Sequence, residues 1–171
     1  VETIPITSGR SMINRKMTKK GDRLGDTAMT PGADALIVYT DGASRGNPGD
    51  AAWAYVIVRG GSVVAWRSGY LGKTTNNVAE YHAIINALRA ARELTSGSVL
   101  VRSDSELVVR QVTGRYRIRK EHLAGLAEEV RRLMRDFTEV QFESVPREHP
   151  CIQVVDRLCN ETLDARPQVK E

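Results

Sequence analysis

Ala35-Leu36-Ile37-Val38-Tyr39-Thr40-Asp41-Gly42-Ala43-Ser44-Arg45-Gly46-Asn47-Pro48-Gly49 runs from an apolar segment into a carboxylate and then into turn chemistry. Residues 35–40 have the pattern of a strand buried on both faces. Asp41 closes that strand, and the Gly, Asn, Pro and Ser residues after it predict a turn. A second run, Val99-Leu100-Val101-Arg102-Ser103, closes on Asp104 in the same way. Thr74-Thr75-Asn76-Asn77 announces a helix with Glu80 in its first turn, and Asp156 lies inside the last helical stretch. Side chains at the carboxyl ends of strands in an open α/β sheet converge on one crevice, the usual ligand site.

Working outward, residues 51–60 and 62–70 read as two further strands joined by a tight hairpin at Gly60-Gly61. Val78, Tyr81, Ile84, Ile85, Leu88 and Ala91 recur at helical spacing, which predicts a helix over 77–94 with one apolar stripe. A strand (98–103), a short helix (105–113), a helix (121–135), a strand (139–144) and a last helix (about 150–163) follow. Three antiparallel strands and then strand–helix alternation predict an α/β fold, a five-stranded mixed sheet with helices on both faces. Its catalytic domain is expected over residues 34–165, with a C-terminal tail at 166–171. Residues 1–33 show no lasting period and read as a flexible N-terminal tail, partly vector-derived because the chain starts at Val. The alternative is a basic arm for nucleic acid, although no aromatic residue there could stack on a base.

A chain of 171 residues suits one well-buried domain, and 41% hydrophobic with 27% charged residues is the composition of a globular protein. No apolar run approaches the ~20 residues of a membrane-crossing helix, and the N-terminus lacks a signal-peptide core, so a cytoplasmic protein is expected. Cys151 and Cys159, the two cysteines, fall about 12 Å apart along one helix, beyond disulfide reach. Reduced thiols fit that compartment. The net charge of +4 is shared out: residues 1–35 carry six Lys/Arg against four Asp/Glu, and the remainder is nearly balanced. One basic cluster stands out, residues 110–120, with Arg110, Arg115, Arg117, Arg119 and Lys120 interleaved with Tyr116 and Ile118. Such side chains dominate affinity for a phosphate backbone; a solvated face is the alternative.

Four acids in one crevice repel one another unless hard cations lie between them, and oxygen-only ligands suit Mg²⁺ or Mn²⁺. This points to two-metal phosphodiester chemistry, in which paired divalent ions activate water and relieve the leaving oxygen. Each acid also has a simpler reading: Asp41 as a turn residue, Asp104 as a helix N-cap, Glu80 as a first-turn acid favoured by the helix dipole, Asp156 as a solvated helix residue.

Thr40-Asp41-Gly42-Ala43-Ser44-Arg45-Gly46-Asn47-Pro48-Gly49, Thr74-Thr75-Asn76-Asn77-Val78-Ala79-Glu80, Ser103-Asp104-Ser105-Glu106 and Val155-Asp156-Arg157-Leu158, in this order and spacing, resemble type 1 ribonuclease H over residues 36–165. The resemblance implies a ribonuclease H-like sheet in the order 3-2-1-4-5 and a metal-dependent endoribonuclease. Such an enzyme cuts the RNA strand of RNA–DNA hybrids and leaves 5′-phosphate and 3′-hydroxyl ends. It implies two Mg²⁺ ions, with Mn²⁺ able to substitute, held by Asp41, Glu80, Asp104 and Asp156, with Asp41 bridging. It also implies hybrid contacts by Gly42, Gly46, Asn47, Asn76, Asn77 and Glu106, a DNA phosphate at Thr75, and a monomer needing no protein partner. Arg115, Arg117 and Arg119 join the substrate-binding set from the basic segment.

The chain departs from the family at Ile152, where an asparagine usually stands four residues before the last acid, and at Val155. A mobile histidine found in some members would fall near Pro146; His149-Pro150 reads instead as the entry to the last helix. The small N-terminal hybrid-binding domain and the long basic protrusion of some members have no counterpart. Two other functions remain open to the residues. A non-catalytic hybrid-binding module would not require all four acids. A DNA-cutting integrase-like nuclease would not require the Gly-Asn-Pro-Gly and Asn-Asn elements.

Overall fold

A computed structural model describes residue 32 and residues 34–166. The expected N-terminal tail lies outside the described residues except for Gly32, as does the C-terminal tail beyond Arg166. Among the described residues the elements run β1 (Leu36–Gly46), β2 (Gly49–Arg59), β3 (Ser62–Thr74), α1 (Asn76–Ala91), β4 (Ser98–Ser103), α2 (Glu106–Val112), α3 (Glu121–Met134), β5 (Glu139–Ser144) and α4 (Pro150–Asp164). The sheet has the expected order, β3-β2-β1-β4-β5, antiparallel across β1, β2 and β3 and parallel across β1, β4 and β5. Gly60 and Gly61 turn the chain between β2 and β3 at φ +58° and +79°, left-handed values that a two-residue hairpin needs and glycine adopts freely.

The expected turn after Asp41 is not there. β1 continues to Gly46 and β2 begins at Gly49, leaving only the cis-linked Asn47-Pro48 as the turn. Parallel pairing to β4 stops at Thr40–Ser103, whereas antiparallel pairing to β2 continues to Gly46–Gly49. Asp41 is therefore mid-strand, at the first position where β1 has lost its neighbour on one side. That loss opens the crevice. β3 likewise runs past its expected end at Tyr70, because it follows β2 to the Gly49–Thr74 pair.

The sheet separates two apolar layers. On one face Leu36, Val38 and Ile57 pack against Tyr81, Ile84 and Leu88 of α1 and Leu123, Val130 and Leu133 of α3. On the other, Tyr39, Ala52, Ala54 and Val56 meet Ile152, Val155, Cys159 and Leu163 of α4. On α4 the inward stripe runs through Ile152, Val155, Cys159 and Leu163, while Val154 is 42% exposed. Both cysteines are buried and free. No helix among the described residues is long and apolar enough to cross a membrane.

Gly42 sets how closely α1 approaches the sheet. A Cβ there would lie 2.3 Å from the Ala79 carbonyl carbon and 2.3 Å from the Glu80 nitrogen. Backbone cannot yield as a flexible side chain can, so Gly42→Ala should destabilise the protein by about 1–3 kcal/mol through overpacking. At ~2–4 °C per kcal/mol for a domain of this size, thermal denaturation should show a melting point several degrees lower. An unchanged melting point would mean that α1 is free to move away.

Candidate active site

Asp41, Glu80 and Asp104 come together from three different elements. Each offers a carboxylate oxygen, and these oxygens lie within 4.8 Å of one another. Asp41 and Glu80 are buried, and Asp104 is half-buried just past the end of β4. Glu80 is the fifth residue of α1, in its second turn and not its first, and it reaches the site because Gly42 lets the helix backbone close on β1. The Asp104 cap reading also fails: the N-cap of α2 is Ser105, whose hydroxyl accepts from the Val108 N–H. Asp156, half-buried on α4, falls outside the three-oxygen group but faces Asp41 closely enough to share a hydrogen bond with it.

Electrostatics mark this site. Burial, then the neighbouring Asp104 charge, push the Asp41 carboxyl from 3.8 up to about 8. Glu80 is raised well above the usual carboxylate range by burial and then by Asp41, and Asp104 is raised chiefly by burial. Glu80 Oε2 and Asp104 Oδ1 are buried with no hydrogen-bond partner among the described residues. Buried acceptors without donors are costly, and a set of hard oxygen ligands left over in this way fits a divalent cation such as Mg²⁺ or Mn²⁺. Asp41, Glu80 and Asp104 could hold it, with Asp156 alongside.

Two further polar residues, Asn160 and Arg147, lie around the acids. Asn160, one turn after Asp156, points its amide Nδ2 at the Asp156 carbonyl (3.1 Å) and carboxylate Oδ2 (3.5 Å). Its only sequence signal is that of an i+4 neighbour, on a helix whose inward face the apolar pattern leaves ambiguous. Arg147 lies close enough to Asp104 to favour its ionised form, and with Glu148, Gln153, Asp156, Arg157 and Asn160 it lines a groove beside the acids.

The expected substrate-binding residues form two groups. Gly46 and Asn47 sit at the β1–β2 turn, where Asn47 Oδ1 accepts from the Asn76 backbone N–H at 3.1 Å. That bond places Asn47 beside Thr75, Asn76 and Asn77. Of the four residues Thr74–Asn77 that announce α1, Thr75 is the N-cap, its hydroxyl accepting from the Val78 N–H. Gly42 is buried against α1. In the second group, Glu106 is engaged in an ion pair with Arg110, which also donates to the Tyr116 hydroxyl (2.6 Å) and stacks on its ring. The Arg115 and Tyr116 amides donate to the Arg110 carbonyl, so the basic loop is pinned to α2. Arg115, Arg117 and Arg119 are exposed, and no ion pair among the described residues engages them. His149 is the N-cap of α4, its Nδ1 accepting from the Cys151 N–H at 3.1 Å, with Pro150 at the first helical position.

A sequence profile for the family described as "Reverse transcriptase-like" matches residues 39–162. Ribonuclease HI of Halobacterium salinarum is 41% identical over 127 residues, 74% of this chain and 63% of that protein. The crystal structure of RNase H1 from the same halophilic archaeon superposes with a TM-score of 0.73 at 39% identity, covering 77% of this chain and 99% of that one. LC11-RNase H1, solved in complex with an RNA/DNA hybrid, gives 0.71 at 37% identity over 75% of this chain and 96% of that one. The chain spans less than two thirds of the curated relatives it matches, 63% of the halobacterial enzyme and 36% of a bifunctional protein of Mycobacterium tuberculosis.

Because the Asp41 pKa rises from 3.8 to about 8 on folding, the metal-free folded protein holds a proton that the unfolded chain has released between those values. The unfolded state then binds fewer protons, so stability present below the lower value is lost as pH rises through the upper one. Glu80 and Asp104 shift in the same direction. The melting temperature of chelator-treated protein should fall across this window, and Mg²⁺ should restore it at the alkaline end. Asp41→Asn should flatten the slope. An identical slope in wild type and variant would refute the burial of a titrating acid there.

Proposed function

The chain belongs to the type 1 ribonuclease H family, within the reverse transcriptase-like proteins, and from that premise we propose that it is an endoribonuclease hydrolysing the RNA strand of RNA–DNA hybrids. The observation that carries this reading is the buried, partly unpartnered cluster of Asp41, Glu80 and Asp104. Residues 34–165 form the catalytic domain, acting as a monomer with Mg²⁺, or Mn²⁺ in its place, in a cytoplasmic setting that suits two free buried thiols. Two divalent ions, when bound, supply an activated water and stabilise the leaving oxygen, and the products carry 5′-phosphate and 3′-hydroxyl ends.

The chain's own residues supply the frame for that chemistry. Asp41, on the central strand, would be shared between two ions; Glu80 and Asp104 would help hold one, and Asp156, whose carboxylate Asn160 contacts, would help hold the other. Gly46, Asn47, Asn76 and Asn77 line the minor groove of the hybrid, where a ribose 2′-hydroxyl distinguishes RNA from DNA. Thr75 takes a phosphate of the DNA strand. Glu106 reaches the hybrid by exchanging Arg110 for it. Gly42 serves the site by spacing, holding Glu80 against Asp41. Arg115, Arg117 and Arg119 contact phosphates, which positions the hybrid without reading its sequence.

End-labelled hybrid, RNA duplex and DNA duplex, each incubated with Mg²⁺, Mn²⁺ or chelator, test the reading directly. Cleavage confined to the RNA of the hybrid and abolished by chelator is expected. Binding without cleavage in any metal would favour a hybrid-binding module, and cleavage of the DNA duplex an integrase-like nuclease. Asp41→Asn should abolish cleavage and leave hybrid binding intact; activity within tenfold of wild type would reject the bridging role.

Replacing Arg115, Arg117 and Arg119 by Ala should weaken binding and reduce the dependence of log K on log salt by at most ~0.9 for each phosphate no longer neutralised. The weakening should be similar for hybrids of different sequence, and kcat at saturating hybrid should fall far less than kcat/KM. Unaltered affinity and salt slope would mark the loop as a solvated face.

A further inference from the structure

A row of polar side chains lies one step along the sheet from the acids. Tyr39 pairs with Arg102 across β1 and β4, and Arg102 with Glu143 across β4 and β5, so the three side chains stand abreast on one face. Arg102 Nε donates to Glu143 Oε2 at 2.9 Å, and its Nη1 donates to the Tyr39 hydroxyl at 3.0 Å. The Arg102 side chain is only 14% exposed. The Tyr39 ring then packs against the His149 ring, centroids 5.1 Å apart. Tyr39, Arg102 and His149 are each joined by their own element to a proposed metal ligand. Tyr39 is two residues before Asp41 on the same face of β1, Arg102 is two before Asp104, which follows the end of β4, and His149, the N-cap of α4, is seven before Asp156. Glu143 precedes the loop that carries Arg147, and that loop is tied to β4 by the Val145 N–H on the Ser103 carbonyl, 2.9 Å.

We propose that Tyr39, Arg102 and Glu143, covered by His149, form a positioning row that sets the N-terminal end of α4, and through it Asp156, against the triad of Asp41, Glu80 and Asp104. The proposal rests on the metal-site reading above. The triad needs no such help, because β1 and β4 are hydrogen-bonded neighbours and α1 is wedged at Gly42. Asp156 has no such backbone tie; its helix packs on the sheet through apolar side chains and is pinned by polar contacts at its far end, Arg45 with Asp164 and Ser68 with Thr162, so its N-terminal end needs an anchor of its own. A planar guanidinium held by two directional contacts supplies it, as an ammonium on a flexible stem could not.

The test measures Mn²⁺ affinity by calorimetry on the full chain, and the Mg²⁺ dependence of hybrid cleavage, for Arg102→Met, Arg102→Lys and Tyr39→Phe. Removing an outer partner of a metal ligand costs about 10–100-fold in metal affinity or activity. Arg102→Met should weaken Mn²⁺ binding and raise the Mg²⁺ needed for half-maximal cleavage about tenfold, the low end of that range, because it acts through a helix. KM for hybrid should stay within about twofold, and saturating Mg²⁺ should rescue kcat. Tyr39→Phe keeps the ring on His149 and should give a smaller shift of the same kind, with Arg102→Lys behaving like Arg102→Met. In an Asp156→Asn background, Arg102→Met should add little further loss of Mn²⁺ affinity, since both act on one ligand. A lowered melting point with unaltered metal dependence in all three variants would reduce the row to a structural role and overturn the proposal, as would full additivity with Asp156→Asn. Should wild type fail to cleave hybrid, the functional reading falls, while the Mn²⁺ affinities still decide whether the row positions Asp156.

Discussion

Repulsion among the carboxylates of Asp41, Glu80 and Asp104, held with oxygens within 4.8 Å of one another, is the constraint on which the rest of the chain depends. Two unit charges 4 Å apart repel by about 4 kcal/mol at an effective dielectric near 20, so a loose scaffold would let these acids separate. The fold prevents this by mounting each on an element that cannot retreat alone. Asp41 is inside a strand paired along its length to β2, and Asp104 follows the last residue of a strand paired on both sides. Glu80 is carried by a helix whose backbone meets β1 at a glycine. Burial first, and repulsion second, appear as raised carboxyl pKa values, and the same burial leaves oxygens without donors. A divalent cation relieves both together, whereas protonation relieves the charge and still leaves unpaired acceptors.

The sheet is legible in the sequence because its signals are local: apolar runs, a Gly-Gly turn, and a helical stripe from Tyr81 to Ala91. The continuation of β1 through Gly42 to Gly46 is not, since the turn-forming residues there are overruled by pairing with β2. The outcome at Asp41 is instructive. The acid is on the right strand and at the mouth of the crevice, yet for a different reason, the end of β4 and not of β1. Glu80 is likewise on the expected helix but one residue further in, just past its first turn, because the Thr75 cap starts the helix at Asn76. Along α4, Val154 and Val155 are adjacent apolar residues, yet only Val155 is buried, on the face that runs through Ile152 and Cys159. Short helices with mixed composition offer several plausible stripes, and only the sheet beneath them selects one.

Residues whose roles depend on cross-element contacts carry no sequence signal. Arg102 is one cation in a strand and Tyr39 one aromatic in another; nothing in their spacing says that they meet. Asn160 is hidden for the same reason. The basic segment is visible as composition, but its internal division is not. Arg110 is taken up by Glu106 and Tyr116 and shapes the loop, which leaves Arg115, Arg117 and Arg119 facing solvent. A loop ordered before it meets a phosphate backbone loses less conformational freedom on binding than a free arm of the same charge.

The arrangement divides the acids into three whose oxygens are grouped by the sheet and α1 and a fourth, Asp156, carried by α4. α4 is held at its far end by polar contacts, Arg45 with Asp164 and Ser68 with Thr162, and at its near end by His149 on Tyr39. Between these anchors it crosses the sheet on an apolar stripe that includes the Cys159 thiol, 3.5 Å from the Asp41 carbonyl. A small side chain at that crossing lets the helix lie close to β1, and the end contacts then decide how far along its axis it sits. Arg45 also belongs to the strand leading into the Asn47 turn, so one end of α4 is tied to a proposed substrate contact and the other to the row beside the proposed metal ligands. Displacement of the helix in either direction would therefore alter the fourth acid and the Asn47 turn together, which gives the polar anchors of α4 a reach that its apolar packing alone would not have.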